Sequence, residues 1–193
     1  AQTVLYRLAD SLCRLMAPIL CFTSEEVWQE LEAIKGRERW ARSTIHAQLF
    51  PAAQDIAEDT ALLERFERLM KLREEAYKAL ELARKEKLIG TALEARVVID
   101  STEGETIEFL RSFGDDLHFL FITSEVVFGA AGESAFESDA VEGLRVEVQK
   151  AAGRKCERCW NYTLDVGAEP QWPGICARCA GHVREILDGT ESP

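Results

Sequence analysis

The chain has 193 residues, 47% of them hydrophobic and 30% charged, with a formal net charge of −11, the balance of a soluble protein able to bury one medium domain or two to three small ones. No run of 18 uncharged apolar residues occurs, which excludes a membrane-spanning helix. The negative charge argues at first against a polyanionic partner, but it is unevenly spread: residues 98–148 carry 12 acidic and 2 basic side chains, against 16 and 15 in residues 1–97 and 6 and 6 in residues 149–193. Nucleic-acid contact is therefore compatible with the two ends, and the middle is expected to face away from it.

The opening AQTVLYRLADSLCRLM lacks the ordered charged, apolar and small-residue regions of a signal peptide. It reads as a helix already under way, so a piece of a longer cytosolic protein is expected. Leu5, Leu8, Leu12, Leu15, Met16 and Ile19 recur at helical spacing, and Pro18 disturbs or ends the helix. A second helix is predicted from FTSEEVWQEL, with Thr23 and Glu26 as a capping box, Phe22 and Val27 as the hydrophobic staple, and Trp28 and Leu31 facing inward. Residues 35–60 read as a polar connector anchored by Ile45, Leu49 and Phe50. Cys13 and Cys21, alone in apolar surroundings, read as small buried hydrophobes.

A long helix is predicted from about Asp59 to Leu88, stopped by Gly90, with Leu62, Phe66, Leu69, Ala76, Leu80 and Ala83 as its buried stripe. Arg68, Lys71, Lys78 and Lys85 form a basic row that could follow a phosphate backbone. Each has a glutamate four residues earlier (Glu64, Glu67, Glu74, Glu81), the orientation that stabilises a helix, and this favours a solvated face over RNA contact. Beyond it the period changes. Ala95–Ile99, Leu117–Phe128 and Leu144–Val148 read as strands and Glu105–Phe113 as a short helix, together a small α+β domain with a partly covered antiparallel sheet. Its acidic residues have no metal or acid/base spacing and read as a solvated face.

The last forty residues carry the chemistry. KCERCWNYTLDVGAEPQWPGICARC holds Cys156 and Cys159, sixteen intervening residues, then Cys176 and Cys179. Each Cys-x2-Cys turn can aim two thiolates at one ion, and two such turns complete a closed tetrahedral site of the structural zinc type. In a reducing cytosol that reading is stronger than disulfides. A redox dithiol would use one pair and leave the other without a role. His182 could replace a thiolate, but four cysteines already fill the shell. Around the ligands lie Arg154, Lys155, Arg158 and Arg178, with Trp160, Tyr162 and Trp172. Cations and rings together suit unstacked RNA bases, whereas a miniature apolar core is the alternative use of the rings. Trp160, beside a ligand, reads as core; Trp172, between Pro170 and Pro173, reads as the exposed stacker.

MAPILCFTSEEVWQEL, LREEAYKALELARKEKLIGTALEARVVI, LHFLFITSEVVF and KCERCWNYTLDVG, in this order, resemble the C-terminal region of bacterial isoleucyl-tRNA synthetases over nearly the whole chain. The resemblance implies an α+β architecture in three parts: residues 1–92 as a helical anticodon-binding domain, 93–150 as the small α+β domain, and 151–193 as the zinc module. It implies one structural Zn2+ on Cys156, Cys159, Cys176 and Cys179, and tRNA(Ile) as partner; the side chains around the ligands, Arg154, Lys155, Arg158, Trp172 and Arg178, are the candidate RNA contacts by their chemistry. The family's nucleotide-site signatures and editing insertion are missing from this sequence. ATP and isoleucine are therefore expected to engage only an absent catalytic domain, this part contributing by positioning tRNA. A cytoplasmic monomer is expected. The competing expectations are a stand-alone zinc-ribbon protein-interaction module and a cysteine-dependent redox enzyme.

Overall fold

The computed structural model describes residues 2–38, 41–53 and 59–189. They divide into two compact units, Ala1–Glu58 and Asp59–Pro193. Residues 39, 40 and 54–58 of the predicted connector lie outside the described residues.

In the first unit, helices α1 (Gln2–Met16) and α2 (Cys21–Ile34) and a 3-10 turn at Ile45–Ala47 enclose a small core of Cys13, Ala17, Trp28, Leu31 and Ile45. Trp28 and Leu31 face inward as expected. The Trp28 indole N–H donates to the Ser43 carbonyl at 2.9 Å, and Arg14 and Lys35 lie over its ring at 5.4 and 5.0 Å. Fully buried Glu32 is bonded by Lys35 at 3.0 Å and Arg37 at 2.6 Å, as a buried carboxylate requires.

The capping box at Thr23 does not form. Helix α2 starts earlier, with Leu20 at the cap position and no side-chain cap. After Pro18 the chain turns tightly, Ile19 and Leu20 both donating to the Met16 carbonyl, and Ser24 already donates to Leu20. Thr23 and Glu26 thus fall inside the helix, and Phe22, 87% exposed, staples nothing. Cys21, Leu49 and Phe50 are exposed, which leaves Cys13 and Ile45 as the buried members of their pairs and trio. The leucines of α1 are exposed as well, because Cys13 and Ala17, with Tyr6 and Ala9 beside them, form the face that meets α2.

The second unit is built on α3 (Thr60–Lys85). Asp59 caps it, its carboxylate accepting from the Leu62 N–H at 3.0 Å, which satisfies one of the orphan donors of the first turn. Leu69, Leu72, Ala76, Ala79, Leu80 and Ala83 are buried. Leu62 and Phe66, predicted in the same stripe, lie at the exposed end of the helix. The stop is not at Gly90. Lys87 takes the left-handed conformation (φ 60°), with Leu88 N–H bonded to Ala83 O and Lys87 N–H to Arg84 O, the paired bonds of a Schellman ending. The ion pairs also differ from the predicted i,i+4 set: Arg68 reaches Glu105 at 2.7 Å, Lys78 takes Glu75 at 2.6 Å, and Arg84 takes Glu81 at 2.5 Å.

Strands β1 (Ala95–Ser101), β2 (Glu125–Phe128), β3 (Phe136–Glu137) and β4 (Leu144–Lys150) form one sheet in the order β2-β1-β4-β3. The sheet is mixed rather than antiparallel. β1 and β2 run parallel, while β1–β4 and β3–β4 are antiparallel. Helices α4 (Gly104–Arg111) and α5 (Leu117–Phe121) supply the crossover that a parallel pair needs. The predicted strand 117–128 therefore splits. Leu117 and Phe121, four residues apart, are both buried in one helical turn, Ile122 reverses the chain at φ 53°, and only Glu125–Phe128 extends. The core joins α3 to the sheet: Leu69, Ala76 and Leu80 share one cluster with Val97, Ile99, Leu110, Phe121 and Val146.

One buried acid ties α3 to the loop between β3 and β4. Glu75, 3% exposed, accepts from Ser138 Oγ at 2.7 Å and from Lys78, and the same hydroxyl accepts the Val141 N–H at 2.9 Å. Burial pushes the Glu75 carboxyl up, and the bonds from Lys78 and Ser138 outweigh it, holding it below the ordinary 4.5. Its stabilising effect is thus complete above that value and lost as pH falls through the lowered folded value. Glu75→Gln is expected to destabilise the second unit by about 1–2 kcal/mol at neutral pH. In urea titrations the gap from the unsubstituted chain should narrow as pH falls below 4.5 and close once the carboxyl is protonated in the folded state as well; a gap that persists at the acid end would mean the carboxylate charge is not its source.

Candidate metal centre

The tail leaves β4 through a short turn in which Ala151 N–H donates to Glu94 O at 2.7 Å. Gly153 follows at φ 90°, and a Cβ there would lie 2.1 Å from the Thr163 carbonyl, so only glycine lets the next hairpin close. That hairpin is β5 (Arg154–Lys155) against β6 (Tyr162–Thr163). Its tip is a tight turn with Cys156 N–H bonded to Asn161 O and Trp160 N–H bonded to Cys156 O, which sets Cys156 and Cys159 side by side. The second pair stands at the start of helix α6 (Ala177–Leu187). Cys176 is its cap residue, Asp165 accepts from Ala177 N–H at 3.0 Å, and Cys179 lies in the first turn. A bond from Glu157 N–H to Gly174 O laces the two turns together.

The four sulfurs lie within 4.8 Å of one another, and Cys159 and Cys176 are 3.9 Å apart. Tetrahedral zinc with Zn–S bonds of ~2.3 Å places its sulfurs about 3.8 Å apart. Cys156, Cys176 and Cys179 are buried, and donors point at the sulfurs: Cys176 N–H at 3.4 Å from Cys156 Sγ, Arg158 Nη1 at 3.7 Å from Cys179 Sγ, and the Arg178 side chain on Cys159. Burial pushes the Cys156 thiol up, but backbone N–H groups of Cys159, Cys176 and Arg158 outweigh it and bring it to about 6, while burial pushes Cys176 up to about 12. One sulfur is thus ready as a thiolate, and Cys159 and Cys176, whose thiols burial pushes up, release protons to a metal as it binds. An all-sulfur, water-excluding shell fits zinc in a structural role. His182 stands outside the cluster, exposed and 3.4 Å from Glu185.

The predicted RNA contacts are placed differently from one another. Arg154 donates to the Val166 carbonyl, while Arg158 and Arg178 serve the sulfurs, Arg178 also lying 4.5 Å over the Phe119 ring. Lys155 has its Nζ 4.9 Å over the Trp160 ring. The two tryptophans differ in exposure from the expectation. Trp160 is 58% exposed, because the left-handed backbone at this residue (φ 67°) turns the chain immediately after Cys159. Trp172 is half-buried in the turn Glu169–Ile175, with Arg184 5.9 Å over its ring. No sequence signal marks Trp160 as exposed, except that a module whose interior is sulfur offers a large ring few apolar partners.

Residues 1–99 match the family described as the anticodon-binding domain of tRNA ligase, and residues 153–181 match the zinc finger found in FPG and IleRS. Isoleucine–tRNA ligase of Syntrophotalea carbinolica is 41% identical over 179 residues, 93% of this chain and 19% of the relative. The enzyme of Caldanaerobacter subterraneus is 39% identical over 191 residues, 97% and 20%, and that of Desulforudis audaxviator 43% over 183 residues, 93% and 19%. The chain spans about a fifth of the length of these relatives.

X-ray absorption on the purified chain is expected to show one zinc with four sulfur neighbours at about 2.3 Å. A nitrogen or oxygen neighbour would refute the all-thiolate shell. Cys176→Ser should release the metal and unfold the tail, while the far-UV helical signal, dominated by α1, α2 and α3, largely survives.

Proposed function

The chain belongs to the anticodon-binding family of tRNA ligases, and we propose that it holds tRNA(Ile) by its anticodon end. On this reading a catalytic region outside the chain joins isoleucine to that tRNA with ATP, and the chain works in the cytoplasm as a monomer. The reading assigns residues 1–92 to the helical anticodon-binding part, 93–150 to the α+β part and 151–193 to the zinc module. Cys156, Cys159, Cys176 and Cys179 are the ligands of one structural Zn2+.

The observation that carries the proposal is the union, in one chain, of an anticodon-binding region with a zinc knuckle whose exposed ring has a cation beside it. Trp160 and Lys155 share the outer face of that knuckle, the pairing that takes an unstacked base and its phosphate. Arg158 and Arg178 already serve the sulfurs, so they support the knuckle more than they offer charge to RNA. Arg154 holds the hairpin through Val166 O, and half-buried Trp172 has the Arg184 guanidinium over its ring. Aminoacylation benefits indirectly, because a tRNA fixed at its anticodon end presents its acceptor end to a distant site in fewer orientations.

The test is tRNA affinity, zinc content and melting measured on the same samples. Trp160→Ala should keep zinc and fold and cost about 1–3 kcal/mol of binding with little change in salt slope. Lys155→Gln should lower the slope of log affinity against log salt by roughly one unit or less. Full affinity in folded, zinc-loaded Trp160→Ala would remove the stacking role. No affinity for tRNA in the unsubstituted chain at low salt would favour a zinc-ribbon module for protein partners.

A further inference from the structure

The zinc module meets the sheet through a small set of polar contacts, and one hydroxyl stands at their centre. Ser124 lies between α5 and β2, and its own N–H donates to the Ala95 carbonyl at 3.1 Å. Its Oγ donates to the Leu93 carbonyl and accepts the N–H of Tyr162 at 2.7 Å. Leu93 belongs to the 3-10 turn that leads into β1, and Tyr162 opens β6 of the zinc hairpin. A hydroxyl has one proton to give and lone pairs to accept with, so this single side chain joins the lead-in to the central strand, the start of β2 and the zinc hairpin. Two further contacts flank it. Ala151 N–H donates to Glu94 O at 2.7 Å, and Arg178, which also bonds Cys159, lies over the Phe119 ring of α5.

We propose that Ser124 is a positioning residue: a latch that fixes the orientation of the zinc module on the sheet and so holds the Trp160–Lys155 face where the RNA meets it. The RNA half of this inference rests on the tRNA reading above; the latch itself does not. The covalent link at residues 150–153 contains Gly153 at a left-handed φ, a joint that alone would let the module pivot. The hydrophobic cluster of the module, its cysteines with Val166 and Ile175, is separate from the one that joins the sheet to α3, so no shared apolar core fixes the one on the other. Orientation must then come from directional bonds, and the Ser124 pair ties the hairpin that carries Lys155 and the knuckle. Phe119 is 42% exposed, and its contact with Arg178 is a second, weaker point that limits rotation about the first. In Ser124→Ala the Tyr162 N–H and the Leu93 carbonyl both lose their partner, while the zinc shell is untouched.

The experiment compares the full chain with Ser124→Ala, Ser124→Thr, Trp160→Ala and the double variant Ser124→Ala/Trp160→Ala. The measurements are zinc content, melting, amide exchange of Tyr162, and affinity for an unmodified tRNA transcript with an isoleucine anticodon. Ser124→Ala should keep its zinc, speed exchange at Tyr162 and weaken tRNA binding, each by about five- to tenfold for one lost hydrogen bond. Ser124→Thr, which keeps the hydroxyl, should restore both. In the Trp160→Ala background the tRNA effect of Ser124→Ala should shrink, because only the Lys155 contact is then left to misplace; a merely structural role would give additive losses. Unchanged exchange at Tyr162 in Ser124→Ala overturns the latch. Faster exchange with unchanged tRNA affinity, or additive losses in the double variant, overturns its positioning role. If Ser124→Ala loses zinc or unfolds, the hydroxyl is a folding determinant and the proposal is wrong; Phe119→Ala, which leaves the Ser124 bonds intact, then shows whether the second contact alone orients the module. If the unsubstituted chain binds no tRNA, the functional reading fails, and the exchange measurement still decides the latch.

Discussion

Residues 153–189 are too few to enclose an apolar core of ordinary composition, and their interior shows how that shortage is met. Their hydrophobic cluster consists, among the described residues, of buried Cys156, Val166, Cys176 and Cys179 with Cys159 and Ile175 packed against them. The metal ligands therefore make up most of the core, and the free energy of binding metal is largely the free energy of folding the tail. Most features of the module follow. Both cysteine turns are laced by backbone bonds because the sulfurs must converge on a point. Arg158 and Arg178 are drawn in to neutralise thiolate charge, and a large ring such as Trp160 finds no interior to enter. Trp160 holds a left-handed φ, which costs an ordinary side chain of order 1–3 kcal/mol, and the closure of the knuckle is what imposes it.

The same shortage dictates how the module is attached. Domains with a hydrophobic face dock by area, which is large but directionless. This one attaches through a hydroxyl, two backbone amides and a guanidinium on a ring. Such contacts are individually worth about 1 kcal/mol, yet each fixes a direction. The rigid partner is well chosen: β1 is flanked on both sides, by β2 and β4, and buried under α3, so the turn that leads into it is among the best-supported pieces of backbone in the second unit.

Much of this was legible in the sequence because its signals are local. The Cys-x2-Cys spacing needs only a tight turn, and the helical period around Trp28 and along α3 survives in the fold, as do β1 and β4. The misses came where tertiary context decides. LHFLFITSEVVF is apolar almost throughout, so neither period stands out, and the i,i+4 burial of Leu117 and Phe121 chose helix for its first half. The parallel pairing of β1 and β2 depends on that helix, so the antiparallel expectation failed with it. Thr23 and Gly90 carried the right chemistry for helix ends, but the tight turn after Pro18 and the Schellman bonds at Lys87 were formed by their neighbours. Exposure of Trp160 rather than Trp172 depends on how little core the module has, which residue type alone does not reveal.

Charge completes the picture of how an acidic chain can serve a polyanion. Between residues 98 and 148 the bases are Arg111 and Arg145, and both are engaged: Arg111 lies over Phe128, and Arg145 is shared by Asp100 and Glu137. The acids of this segment far outnumber them, so the sheet region repels phosphate while the tail, with equal acids and bases, does not. Repulsion of this kind weakens binding in wrong orientations more than in the right one, which is how like charge confers specificity. On the proposed reading it also limits what counterion release can contribute in the tail, where Arg154, Arg158, Arg178 and Arg184 are engaged within the module. On the proposed reading, affinity must then lean on stacking and on the geometry of a few contacts. That is the regime in which the orientation of one small knuckle matters, and in which a single hydroxyl beneath it can have an effect out of proportion to its size.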